Sequence, residues 1–163
     1  AADDIMLSLR SPDMVLIMNP DTRNVKWYAF KPFIKQHDPD FLGNGWIGVF
    51  DNNRDGTKRG TMLGGSRIVA IQPASDSTRI LFPTEYSEPF YTPYAGLWQQ
   101  LDNGNMLLTS TRPSRVVEVN QQGETVWEWI KPAYQNGQLP EVHAAKRYDL
   151  TRADVRAWPC GGP

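Results

Sequence analysis

The side chains in this sequence able to make or break bonds are few. There are two histidines, a single cysteine, and carboxylates nearly balanced by cations. His37, followed by Asp38-Pro39, is either a functional imidazole or a strand-start histidine hydrogen-bonded into a turn. His143 has no comparable neighbours and reads as a structural or surface residue. Asp51-Asn52-Asn53-Arg54-Asp55-Gly56 fits the opening of a calcium loop, with oxygen ligands at alternating positions and glycine at the sharp turn. Its twelfth position is Met62 instead of the closing glutamate, and Arg54, Lys58 and Arg59 repel a cation. An ordinary polar loop, with no metal, is the expectation. Cys160 sits in a Gly/Pro-rich tail, which leaves no internal disulfide and no cysteine-based metal site.

The elements that must hold these residues are short. The chain has 163 residues and a net charge of −1, enough for one domain with a core of its own. That balance lacks the basic excess of a nucleic-acid protein. No apolar run is long enough for a membrane span, and Ala1-Ala2-Asp3-Asp4 shows no signal-peptide pattern. Thirteen glycines, thirteen prolines and six each of Trp, Tyr and Phe suit short strands joined by tight corners and argue against a helical bundle. Apolar segments of strand length recur at 4–10, 14–19, 24–30, 46–50, 67–71, 79–82, 97–101, 106–111, 115–119 and 125–130. Turn sequences such as Gly43-Asn44-Gly45 and Asp102-Asn103-Gly104-Asn105 separate them.

These strands group into repeats. Residues 96–131 give four strands, residues 37–83 give a second set with an insertion, and residues 4–30 give a third set lacking its first strand. Four-stranded repeats of this length are the signature of β-propeller blades. The expected fold is therefore all-β, a single domain of about three antiparallel blades, with a terminal strand at 141–148 and a tail at 149–163. Residues 141–148 are the strand that could complete the first blade. Trp27, Trp127 and Trp129 fall late in their blades and are expected to fill space between sheets. Closed propellers need roughly four to eight blades. The chain is thus expected to be part of a longer protein, or a half-ring completed by a second copy or another protein.

Several motifs carry a resemblance. Gln36-His37-Asp38, Asn44-Gly45, Phe50-Asp51-Asn52 and Ser66-Arg67 follow one another, with Ser8-Leu9-Arg10 and Trp27 upstream. Downstream come Asn103-Gly104-Asn105 and Glu118-Val119, then Gly123-Glu124 and Val126-Trp127-Glu128. Over residues 5 to 148 this series resembles the bacterial arylsulfotransferase family, and specifically the C-terminal portion of its propeller. The resemblance implies sulfuryl transfer from a phenolic sulfate ester to a phenol through a sulfohistidine, with no cofactor. Such chemistry needs a neutral imidazole, cations around the sulfuryl oxygens and an acid for the departing phenolate.

On that resemblance Arg10 is the sulfuryl clamp, since a guanidinium stays charged and donates bidentately. His37 is assigned to acid/base or sulfate-contact work, and Asp38 is expected to hold one ring nitrogen. Asp51, Asn52, Thr109 and Arg112 complete a substrate-contact set with Asp38. Arg10 and Arg112 occupy equivalent repeat positions, so either can instead pair with carboxylates between blades. Lys58-Arg59 and Arg67 can attract an anionic ester or form a solvated face. The Pro- and aromatic-rich stretch 82–94 either packs between blades or lines an aromatic pocket. One departure stands out: the resemblance places the nucleophile in an H-x-N motif before S-x-R, and no histidine precedes Arg10. The family is exported, so the resemblance implies a periplasmic or secreted location. A non-enzymatic propeller scaffold is the alternative, because fold does not fix function.

Overall fold

A computed structural model of the chain describes residues 3–112 and 114–159; Cys160 and its tail lie outside them. Eleven strands form three antiparallel sheets. The first contains β1 (Ile5–Leu9), β2 (Met14–Met18) and β3 (Val25–Ala29) in chain order. The second is the meander β4 (His37–Gly43), β5 (Trp46–Asp51), β6 (Arg67–Gln72) and β7 (Ser77–Phe82). The third is the meander β8 (Leu97–Gln100), β9 (Met106–Ser110), β10 (Arg115–Val119) and β11 (Thr125–Ile130). These are blade-like sheets, and they do not close into a ring. Tight corners set the strand boundaries: Gly43, Asn44 and Gly45 all take positive φ, which lets β4 fold straight back as β5.

Side-chain alternation explains the stacking. Ile47 and Val49 of β5, with Val69 and Ile71 of β6, face the first sheet and pack with Val15 and Phe33. Phe50 and Ile68 point the other way, into a cluster with Phe82, Phe90, Trp98, Leu108 and Val117. The middle sheet is thus apolar on both faces. Trp27 packs on the first cluster, as expected of a residue between sheets. Glycine is required at position 48, where an added Cβ would lie 2.2 Å from Cζ2 of Trp98.

The segment after β11 departs from expectation. Residues 141–148 form no strand and do not pair with β1. They lie as a strap over the far face of the third sheet, held by side chains. Ala145 N donates to Thr109 Oγ1 at 3.1 Å, and Gln99 and Arg147 exchange two hydrogen bonds. Arg147 also ion-pairs with the buried Glu118 carboxylate and sits over the Trp127 ring. Captured this way, the strap shields Trp127 and Trp129 in part, and both stay over 40% exposed. The tail holds one short helix not anticipated from sequence, α1 (Arg152–Ala157), with a Thr151/Asp154 capping box.

Two outcomes follow from this packing. Gly48→Ala should destabilise the chain by about 1–3 kcal/mol in urea unfolding, because the Trp98 ring has to move. The strap should be acid-labile. Burial alone would raise the Glu118 carboxyl, but hydrogen bonds from Asn105, Arg147 and Asn103 outweigh it and hold it below its ordinary 4.5. A depressed carboxylate adds stability that is present above its unfolded value and lost as pH falls through the folded one. The amide NMR signals of Ala145 and Arg147 should therefore move toward unstructured positions below pH 4.5, and already at neutral pH in Glu118→Ala.

Candidate functional site

The motif at the start of β4 sits where the first two sheets meet. Gln36 is fully buried, and its Nε2 donates to Met14 O at 2.9 Å and reaches Ser8 Oγ and Leu9 O. Ser8 Oγ donates back to Gln36 O at 3.2 Å. The end of β1, which leads into Arg10, is thereby tied to the residue before His37.

His37 is half-buried, and its Nδ1 lies 2.5 Å from Asn52 Oδ1. The orientation of that amide is not free. Asn52 Nδ2 donates at 2.8 Å to both Thr92 O and Ala95 O, so both of its hydrogens are used and its oxygen must face the ring. An amide oxygen accepts only, so His37 Nδ1 carries the hydrogen. In the neutral ring the lone pair is then left on Nε2, the nitrogen able to act as base or nucleophile. Asn52 also anchors the surrounding loops, because Ser66 Oγ donates to Asn52 O and Thr92 O, and Thr92 N donates back to Ser66 Oγ.

Asp38 does not hold the imidazole; Asn52 takes that place. Asp38 Oδ2 accepts from Trp98 N at 2.8 Å, and its carbonyl accepts from Trp98 Nε1 at 2.9 Å, which staples β4 to β8. Burial raises its carboxyl above the ordinary value despite the Trp98 hydrogen bond. Asp51 is fully buried and paired with Arg67, with Ile34 N and Asn53 N also donating to it. Burial pushes its carboxyl up against those three partners. Arg67 donates onward to Pro32 O, so its charge is spent inside the fold.

Internal hydrogen bonds organise the polar loop. Asn53 Nδ2 donates to Leu63 O and Gly65 O. Burial would raise the Asp55 carboxyl, yet donors from Thr57, Met62 and Leu63 bring it down to about 2. Among the described residues no group of three or more His, Cys, Asp or Glu converges as metal ligands.

The remaining candidates are scattered. Arg10 is half-buried beside the Gln36 network, and its guanidinium has no hydrogen-bond or ion-pair partner among the described residues. Thr109 is buried under the strap, its Oγ1 accepting from Ala145 N. Arg112 is exposed, ion-paired with Glu141 and placed over the Tyr94 ring. His143 is exposed and 3.3 Å from Glu141. Ser66 carries a motif signal in sequence and Thr92 lies in the 82–94 stretch, but nothing in the sequence marks either as a partner of Asn52.

A family model described as Arylsulfotransferase (ASST) matches residues 1–136. No curated protein matches the chain. A crystal structure of a protein of unknown function from Bacteroides caccae is similar to 83% of this chain, with 17% identity and a TM-score of 0.46. The chain covers 42% of that protein's length.

The tautomer assignment can be read directly. In the unaltered protein, nitrogen NMR should show His37 Nδ1 protonated and Nε2 bare in the neutral ring. Asn52→Ala should shift the ring toward the Nε2–H form. The same change should cost about 1–3 kcal/mol of stability, since Ala95 O loses its donor, Thr92 O keeps only Ser66 Oγ, and the hydrogen on His37 Nδ1 loses its acceptor.

Proposed function

Because the chain belongs to the arylsulfotransferase family, we propose that it serves sulfuryl transfer from a phenolic sulfate ester to a phenol, with Nε2 of His37 as the reacting nitrogen. The observation that carries this reading is the fixed Asn52 amide, which keeps the hydrogen on Nδ1. The resemblance gives His37 acid/base or sulfate-contact work, and an Nε2 lone pair fixed by a hydrogen on Nδ1 supports its serving as the reacting nitrogen. The Nε2 lone pair attacks sulfur, the S–O bond to the aryl group breaks, and the phenolate leaves with the electron pair to be protonated by water or a neighbouring acid. In the second half, an acceptor phenol oxygen attacks sulfur, the S–N bond breaks, and its electron pair returns to Nε2 while the phenol's proton passes to water. Arg10, whose charge is uncommitted, faces the sulfuryl oxygens on this reading. Export to the periplasm, and completion of the ring by a second copy or a partner over the exposed Ile5, Leu7 and Leu9, belong to the same proposal.

One observation favours the scaffold alternative. Asp38, Asp51 and Thr109 all spend their polar atoms on holding the sheets together. The two readings separate in one experiment, incubation with 4-nitrophenyl sulfate followed by alkaline peptide mass analysis. Transfer chemistry predicts release of 4-nitrophenolate and one added SO3 on the peptide bearing His37, abolished in His37→Asn. Arg10→Ala should slow the release by about 10²-fold. A folded chain that releases no nitrophenolate and carries no SO3 is a scaffold.

A further inference from the structure

The strap covers the far face of the third sheet without filling it. An open cavity of about 530 Å³ remains between Leu107, Val116, Trp127 and Trp129 on the sheet and Val142 and Ala144 on the strap. What fixes the strap is a set of side chains aimed at one stretch of backbone and one guanidinium. Gln99 reads both sides of residue 147, its Oε1 accepting from Arg147 N at 2.8 Å and its Nε2 donating to Arg147 O at 3.0 Å. Thr109 Oγ1 accepts from Ala145 N, two residues earlier, a group that in an extended backbone points the same way. The Arg147 guanidinium pairs with Glu118 and lies 5.5 Å from the centre of the Trp127 ring. That carboxylate is positioned by groups outside the strap. Glu118 is buried, and Asn105 Nδ2 at 2.6 Å and Asn103 Nδ2 at 3.5 Å hold its Oε1, which leaves Oε2 for the cation. A held carboxylate, an aromatic face and a paired reader of backbone are the parts of a peptide-recognition site.

None of these contacts depends on the strap belonging to the same chain. It joins the sheet through no strand pairing, and residues 131–139, which link it to β11, are exposed throughout. Its start is held by polar contacts as well, from Ser114 Oγ to Pro140 O and from Arg112 and Tyr94 to Glu141. Every copy carries both a groove and a strap, so two copies can trade straps and satisfy both grooves with closed two-fold symmetry. We propose that the far face of the third sheet is a groove for an arginine-bearing peptide segment, and that the strap of a second copy is its occupant in trans. Sulfuryl transfer at His37 plays no part in this proposal.

The test pairs variants that each break one half of the contact. A fluorescein-labelled peptide of residues 139–150 is titrated by anisotropy into the full chain carrying Arg147→Ala, whose own strap has lost its anchor. Saturable binding is expected, at least about tenfold tighter than to the unaltered chain, where the tethered strap competes at an effective concentration of order millimolar. Arg147→Ala in the peptide, or Glu118→Gln added to the chain, should each weaken binding by about tenfold or more. Adding Gln99→Ala instead, which removes only backbone contacts, should weaken it by about fivefold. By light scattering, the Arg147→Ala and Glu118→Gln chains should each stay near the 18.5 kDa of one chain, while their equimolar mixture should approach twice that mass. No saturable binding, or an affinity indifferent to the arginine, to Glu118 or to Gln99, would overturn the groove. A mixture that stays at the mass of one chain would overturn the second copy as its occupant.

Discussion

A buried amide must find partners for two hydrogens and its oxygen, and Asn52 meets that demand by joining three parts of the chain. Its hydrogens take Thr92 O and Ala95 O, its oxygen takes His37, and its own carbonyl takes Ser66 Oγ. Unpartnered, each of those buried groups would cost about 1–3 kcal/mol. The crossing between the second and third sheets therefore has one low-energy path over the end of β5. The ring of His37 and the seat of the polar loop both follow from that path. Asp51, one residue earlier, performs a parallel task on the other side by pairing with Arg67 and capping Ile34 N. The Phe50-Asp51-Asn52 motif thus positions loops toward both neighbouring sheets.

The strands were legible because each is a short apolar run bounded by residues that accept turn geometry. All ten apolar segments named from sequence, and the first strand of the second repeat, appear as β1 to β11. Residues 141–148 misled because a segment of strand length following a blade is only half of a strand; the other half is an available edge. Here Glu118, Gln99 and Thr109 offered side-chain partners first. The same limit applies at the site. His37 and Asn52 were both visible as candidates, yet which of Asp38 and Asn52 faces the ring depends on Trp98, sixty residues further on. Lys58-Arg59 and the aromatic stretch were each noticed as possible ligand contacts. The docking of Gly60 and Gly65 against Tyr91 and Phe90 brings the two insertions together.

The middle sheet is covered on both faces, while the outer sheets each present an apolar face to solvent. Ile5, Leu7 and Leu9 alternate outward from β1, and Trp127 and Trp129 emerge beside the strap. Stability in such stacks is roughly a sum of nearest-neighbour interfaces. The second sheet contributes to both interfaces and is the most securely held. The His37 ring lies at the start of its first strand, close to the interface with the first sheet and stapled through Asp38 to the third.

That staple has a consequence for the order in which the protein matures. A chain emerging from the ribosome folds from its N-terminus as length becomes available. The first two sheets can form as soon as residue 82 is out, and with them the contact between Gln36 and β1. Trp98 N and Nε1, which fix Asp38, and the carbonyls of Thr92 and Ala95, which orient Asn52, emerge later. During that interval His37 is present in a folded sheet without its tautomer set. The ring's tautomer is therefore set only once the crossing into the third sheet has packed, a late step in building the stack.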